Sequence, residues 1–489
     1  MTAYEELLAF SKETAALSGV VETLGWDQET MMPRKAAAQR GDQFAALESV
    51  IHGRNIDPRV GEWLAKAEAP DAAGAAILRE VQFNYDRSVK VPAALATEIA
   101  RVTSVAQGKW VEARGEGDFK AFAPVLKEVV RLRREEGAAL ADGGDAYDAL
   151  LEGYEPGTSS AQIAEIFDAM RPRLVDLREK VLAQPEPAGV SGTFDPAVQL
   201  NLSEELAKTF GYDMERGRID KAVHPFCAGH GFDVRITTRT NPADPFNCFY
   251  STIHEVGHAC YEQNVRDAYA GTPIGRGVSM GVHESQSRIY ENQLGRSRAF
   301  TGYLFGKMRD AFGDIGIANE DDFYAAVNRV EKGYIRTEAD ELQYNLHIMM
   351  RFDLEMALIR GALEVDDLEA AWNERFEKDF GYPVDTASNG VLQDVHWSAG
   401  LFGYFPTYAL GNVYAGNIYS ALRDAVPSLD NDLSKGDLSN ASAWLGENLQ
   451  QHGALYTPRE TVAKACGFEP TAEPLLAYLE TKFGGIYGL

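Results

Sequence analysis

The chain has 489 residues of ordinary globular composition, 45% hydrophobic and 25% charged, but its 73 acidic side chains outnumber 47 basic ones, for a formal net charge of −26. Such a chain repels phosphate backbones and anionic lipid headgroups, which argues against nucleic acid and membrane surfaces as partners. Four cysteines with no CxxC pair, a first stretch MTAYEELLAFSKETAALSG without basic and apolar leader regions, and no apolar run of membrane length point to the cytoplasm.

Most of the chain reads as helix. Residues 4–20, 36–52, 75–115, 119–141 and 160–183 are rich in Ala, Leu, Glu, Lys and Arg, with apolar side chains recurring at spacings of three and four. Turn chemistry breaks them at Asp142-Gly143-Gly144-Asp145, Glu155-Pro156-Gly157 and Gln184-Pro185-Glu186-Pro187. A single domain over residues 1–489 is expected, with a subdomain break at 184–200 as the alternative to a surface loop. Phe232 to Arg239 alternates apolar and polar residues and reads as a strand. It is either an exposed edge able to hold an extended peptide or a structural hairpin.

Asp244-Pro245 starts the next helix, with Asp as N-cap and Pro in the first turn. Phe246, Phe249, Tyr250, Ile253, Val256 and Cys260 form its apolar stripe, so Cys248 and Cys260 are expected as buried thiols. Within it lies His254-Glu255-Val256-Gly257-His258. Histidines four apart project from one helical face and can close on one zinc ion, while Glu255 points to the space where a reacting water would sit. Neutral imidazoles bind zinc, zinc acidifies the water, and a neighbouring carboxylate carries its proton to the leaving amine.

Zinc needs a third protein ligand. A third histidine in the extended motif would need Gly at 261 and His at 264, where Tyr261 and Asn264 stand. Glu262 lies about 6 Å beyond His258 along the helix, a strained reach for one ion. A second helix starting near Ser279 carries Glu284, the better candidate. On it His283 points about 100° away and is expected behind the ion rather than on it. Glu291 is the reserve ligand, or else a solvated helix charge.

Several separated motifs accompany this one: Trp26 to Pro33 (WDQETMMP), His224-Pro225-Phe226, Asp233-Val234-Arg235-Ile236-Thr237, His283-Glu284-Ser285-Gln286, Ile335-Arg336-Thr337-Glu338-Ala339-Asp340, and Gly390 to Trp397 (GVLQDVHW). Together and in this order they resemble the thermostable carboxypeptidase 1 (carboxypeptidase Taq) family of metallocarboxypeptidases. The resemblance implies a mainly α fold: a large helical domain with a deep groove and a small β-sheet beside the zinc-motif helix. It also implies release of C-terminal residues from peptides with broad specificity, zinc as cofactor with cobalt able to substitute, and a homodimer. His254, His258 and Glu284 match the family's metal ligands and Glu255 its general base and acid.

A carboxypeptidase must hold a terminal carboxylate, and a fixed guanidinium does this with two parallel hydrogen bonds. Arg336 is the matching candidate, with Asp340 four residues on to orient it; the alternative is an ordinary i,i+4 ion pair. His396 is the leading donor to the oxyanion, with Tyr408 and Tyr404 behind it. Arg235 lines the groove or is a plain surface arginine. Two rivals stand beside this reading: an endopeptidase of the same chemistry, and a zinc-stabilised helical protein with no proton carrier.

Overall fold

A computed structural model describes residues 1–489. The helix-rich segments are helices, and local chemistry sets their ends. α1 (Ala3–Thr30) opens with a reciprocal cap, in which Thr2 Oγ1 accepts the Glu5 N–H and Glu5 accepts the Thr2 N–H. Helices also cover Phe119–Ala141 and Ser160–Leu182, as the periodicity predicts. The continuous helix expected over 75–115 is instead two, Ala72–Lys90 and Ala93–Glu116, parted at Pro92. Proline has no N–H to continue the ladder and pushes the preceding residue into extended geometry.

Three short strands form the only sheet: β1 (Ile219–Lys221), β2 (Cys227–His230) and β3 (Asp233–Thr238), in the order β1-β3-β2. β3 runs parallel to β1 and antiparallel to β2, with Ile236 opposite both Ile219 and Cys227. The predicted strand is therefore real but central. Its N–H and C=O groups are committed on both sides, so it offers no free edge, and the hairpin reading of this segment is the correct one.

Three stretches complete the framework of the site: α2 (Pro245–Asn264), α3 (Met280–Arg288) and a π-helical stretch, Ile289–Leu294, that continues α3. Asp244 caps α2 through the Phe246 N–H, and Ser279 caps α3 through the Val282 N–H. α2 is buried on nearly every side, including Phe249, Ile253, Val256, Ala259 and Cys260. A helix buried on this many sides belongs to the core, polar residues included. Thr252 Oγ1 donates to Thr238 Oγ1 at 2.9 Å, tying α2 to the central strand.

The chain divides into two compact units, each assembled from three segments. The first holds Met1–Val89, Pro187–Val327 and Asn417–Pro470; the second holds Lys90–Glu186, Asn328–Gly416 and Thr471–Leu489. The sheet, α2 and α3 belong to the first. The second is built on a continuous apolar core that includes Phe167, Phe352, Trp372 and Trp397, and its α4 (Glu341–Ile359) is almost wholly buried. No helix is long and apolar enough to cross a membrane.

Candidate functional site

In the first unit, one glycine decides how closely two helices approach. A Cβ on Gly257 would sit 2.4 Å from the Gln286 carbonyl oxygen and 2.6 Å from Ser287 Cα. Only hydrogen at this position lets α3 lie directly against the His254–His258 turn of α2, and that contact delivers Glu284. Glu284 Oε2 lies 3.4 Å from His258 Nε2 and 3.7 Å from His254 Nε2, and the three donor atoms all fall within 4.8 Å of one another. Ligands at about 2.1 Å from a tetrahedral zinc ion stand about 3.4 Å apart. The donor set and its spacing therefore fit one divalent cation.

The surroundings hold His258 and Glu284 in the form an ion needs, while Glu284 and Glu291 raise the His254 imidazole against its burial. Burial pushes the His258 imidazole down to about 4, leaving it neutral at physiological pH. Burial alone would raise the Glu284 carboxyl, but Arg288, His254 and His258 outweigh it and hold the group well below the carboxylate range. Arg288 Nε donates to Glu284 Oε1 at 2.7 Å, and Ser287 Oγ donates to Glu284 Oε2 at 3.0 Å. Behind His254, Nδ1 lies 2.9 Å from Glu291 Oε2, and Glu291 in turn accepts from Arg288 and Arg296. Glu291 is thus neither a reserve ligand nor a solvated charge: it is the half-buried acceptor that fixes the far side of the His254 ring. Glu255 is 7% exposed, and burial raises its carboxyl to about 7, poised to gain or lose a proton near neutrality. Cys248 and Cys260 are buried thiols, as expected.

Arg235 lies on β3, where it pairs with Asp233 at 2.7 Å and stacks 4.3 Å over the Trp26 ring. Its charge is engaged in docking α1 on the sheet. Glu262 lines a cavity of about 550 Å³ together with Trp26, Cys227, His230 and Arg276.

In the second unit, Arg336, His396 and Tyr408 come together. Arg336 Nε and Nη2 donate to Asp394 Oδ1 at 3.0 and 2.9 Å, and Nη1 donates to Tyr344 Oη at 3.1 Å. The carboxylate that orients Arg336 is therefore Asp394, a correction to the expected Asp340. Asp340 is the N-cap of α4, accepting the Leu342 and Gln343 N–H groups, so its oxygens are occupied by the helix start. Asp394 also receives Arg351 Nε at 2.6 Å. Burial would raise the Asp394 carboxyl, but the two guanidinium groups hold it well below its usual range. His396 Nε2 lies 3.2 Å from Tyr408 Oη, and burial together with Arg336 lowers its imidazole to about 4. Tyr404 packs edge-on against Tyr408, with ring centroids 5.3 Å apart. Of its five guanidinium N–H groups, Arg336 commits three in these contacts.

Residue type and spacing do not single out Asp394 or Arg351. Asp394 stands inside the GVLQDVHW motif, but its partners lie 58 and 43 positions away, beyond any local pattern.

Known proteins confirm the resemblance. The sequence profile described as carboxypeptidase Taq (M32) metallopeptidase matches residues 6–483. The chain is 41% identical to thermostable carboxypeptidase 1 of Thermus thermophilus, over 99% of each chain. It is 33% identical to carboxypeptidase 1 of Bacillus subtilis, over 99% of this chain and 98% of the relative. Its fold superposes on the crystal structure of the M32 carboxypeptidase from Deinococcus radiodurans with a TM-score of 0.96, at 37% identity and full coverage of both chains. A match spanning nearly every residue, joined to a convergent two-histidine, one-glutamate donor set, places this chain in the carboxypeptidase Taq (M32) family of metallopeptidases, as a metal-dependent carboxypeptidase.

Proposed function

We propose that His254, His258 and Glu284 hold a zinc ion, that Glu255 moves the proton, and that Arg336 receives the free carboxylate of a peptide's last residue. A zinc ion bound there supplies a Lewis acid for the scissile carbonyl and lowers the pKa of water at the site. The observation that carries the reading is the convergence of three ligand atoms beside the buried carboxyl of Glu255.

The side chains of the protein do the rest. Glu255 is basic enough to accept a proton from the attacking water and acidic enough to return it to the departing amine. Arg288, Arg296 and Glu291 keep His254 and Glu284 from rotating away. Arg336, anchored on Asp394, is a fixed guanidinium of the kind that binds a carboxylate by charge-assisted hydrogen bonds. The hydrogen bond joining His396 to Tyr408 supplies a polarised donor for an oxyanion. Arg235 contributes by holding Trp26 and α1 on the sheet. Broad specificity, a homodimeric assembly and a cytoplasmic location belong to the same reading, supported by the family likeness and the acidic composition.

Mass spectrometry of a peptide mixture incubated with the protein tests the proposal. A ladder shortened from the C-terminus, abolished by chelator and restored by zinc, is the expected result. Equal cleavage of C-terminally amidated and free-acid peptides would rule out carboxylate capture.

A further inference from the structure

Behind His258 stands a chain of polar groups with no part in the mechanism above. His258 Nδ1 lies 2.6 Å from His283 Nδ1, and His283 Nε2 lies 2.8 Å from Glu262 Oε1. Glu262 Oε1 also accepts the Gly277 N–H at 2.9 Å. Two ring nitrogens this close hold one proton between them, because two bare lone pairs repel and two N–H groups collide. A carboxylate only accepts, so His283 Nε2 is the donor to Glu262, and the His283 tautomer with a bare Nδ1 is the one that can accept from His258. The shared proton then belongs to His258 Nδ1, which leaves His258 Nε2 bare on the side of Glu284.

From this geometry we infer that His283 and Glu262 are positioning residues that lock His258 in the tautomer presenting Nε2 as a metal ligand. The inference rests on the ligand assignment proposed above. It also makes the two histidines unequal. His254 leans on a carboxylate directly, while His258 leans on an imidazole that relays to a carboxylate one step further back.

The backbone is shaped around this relay. A Cβ on Gly277 would meet His283 Cδ2 at 2.6 Å and Glu262 Oε1 at 3.1 Å, so the loop before α3 closes tightly over both. The Tyr261 ring flanks His283 with centroids 5.3 Å apart, and Tyr261 Oη accepts the Val278 N–H from the same loop. Glu262 follows His258 by one helical turn, and His283 precedes Glu284 by one residue. Each ligand-bearing helix thus brings one relay residue along with its ligand.

The test is the affinity of the metal-stripped protein for Zn(II), measured by competition with a chromophoric chelator, with the apo-protein Tm recorded for each variant. His283→Phe removes the acceptor and is expected to weaken Zn(II) binding about 10- to 100-fold, the usual cost of losing a partner behind a ligand. His283→Asn places an oxygen close to the position of Nδ1 and is expected to keep most of the affinity. Glu262→Met and Glu262→Gln repeat the contrast on the second residue, so the answer survives if His283→Phe lowers the apo-protein Tm. Equal affinity for the acceptor-free variants and the wild type, or equal loss within each pair, would overturn the relay. His258→Ala separates the two levels: undiminished Zn(II) binding in that variant would overturn the ligand assignment itself.

Discussion

Around His254 and His258 in the first unit, the carboxyl groups of Glu255, Glu262, Glu284 and Glu291 outnumber the guanidinium groups of Arg288 and Arg296. Around Arg336 in the second unit the imbalance is reversed, since Arg336 and Arg351 share Asp394 alone. Both clusters are buried, where an uncompensated charge is costly. One is short of a cation and the other of an anion. These opposite deficits are what a metal ion and a peptide's terminal carboxylate would make good. Structural ion pairs elsewhere in the second unit balance more closely: Lys482 meets Glu341, and Arg171 and Arg375 meet Asp353 and Asp379.

The largest expected effect isolates the one carboxyl in the first cluster that is neither a ligand nor a brace. Glu255→Gln should leave Zn(II) affinity near wild type and lower kcat by about 10²- to 10⁴-fold, the range for loss of a general acid–base group. Metal analysis and single-turnover rates on the same preparation check both halves. If hydrolysis persists in the zinc-loaded variant, the carboxyl excess serves only to hold the ion, and Glu255 is not the proton carrier.

The second cluster should respond in binding rather than in chemistry. Arg336→Lys keeps the charge but loses the paired N–H groups, and a lost charge-assisted hydrogen bond costs roughly 1.5–3 kcal/mol. The expected signature is a raised KM for free-acid peptides with little change in kcat, and a narrowed gap between free-acid and amidated substrates. An unchanged ratio between those substrates would show that the cationic excess around Asp394 serves the fold alone.

The two clusters also differ in how much of them can be read from the sequence. The caps at Asp244 and Ser279, the four-residue histidine spacing and Glu284 on a following helix are local patterns, and they place the donor set. The partners behind the histidines are not local. Glu291 reaches His254 from a π-helical stretch that regular helical spacing does not anticipate, and Glu262 reads only as too distant to be a ligand, with nothing to mark His283 as its partner. In the second unit Arg336 stands out by motif, but its true carboxylate lies 58 residues away while the nearby Asp340 is taken up by capping. The central position of β3 is hidden for another reason. β1 has three residues and β2 is Cys-Ala-Gly-His, neither long nor β-branched enough to announce a strand.

Gly257 probes how far the first cluster depends on close helix packing. Gly257→Ala forces a methyl group against the Gln286 carbonyl and Ser287, where no flexible side chain can give way. Overpacking of this kind costs about 1–3 kcal/mol. Because the displaced element carries Glu284, Zn(II) affinity should fall along with the Tm. A variant that loses Tm but binds Zn(II) as tightly as wild type would show that the donor set tolerates a shift of α3.

The last effect concerns Glu355, a buried carboxyl that forms no salt bridge and feels Arg351 only at longer range. Glu355 Oε1 accepts from Tyr147 Oη at 2.6 Å and from the Gly403 N–H at 3.1 Å, and burial raises the group from 4.5 to about 8. A carboxyl raised in the folded state adds stability that is complete below its unfolded pKa and is lost as pH climbs through the folded one. Its contribution should therefore decline between about pH 4.5 and about pH 8, losing about 1.4 kcal/mol over each pH step of one. His396 and His347, both lowered by burial, tilt the other way over the acid half of this window, since the unfolded chain binds their protons first. The difference between wild type and Glu355→Gln cancels those histidines and reads Glu355 alone. That difference in unfolding midpoint should move steadily in favour of the variant as pH rises. A flat difference would mean that Glu355 is ionised when folded, with Tyr147, Trp397 and the Gly403 N–H sufficient to hold an anion where Asp394 needs two arginines.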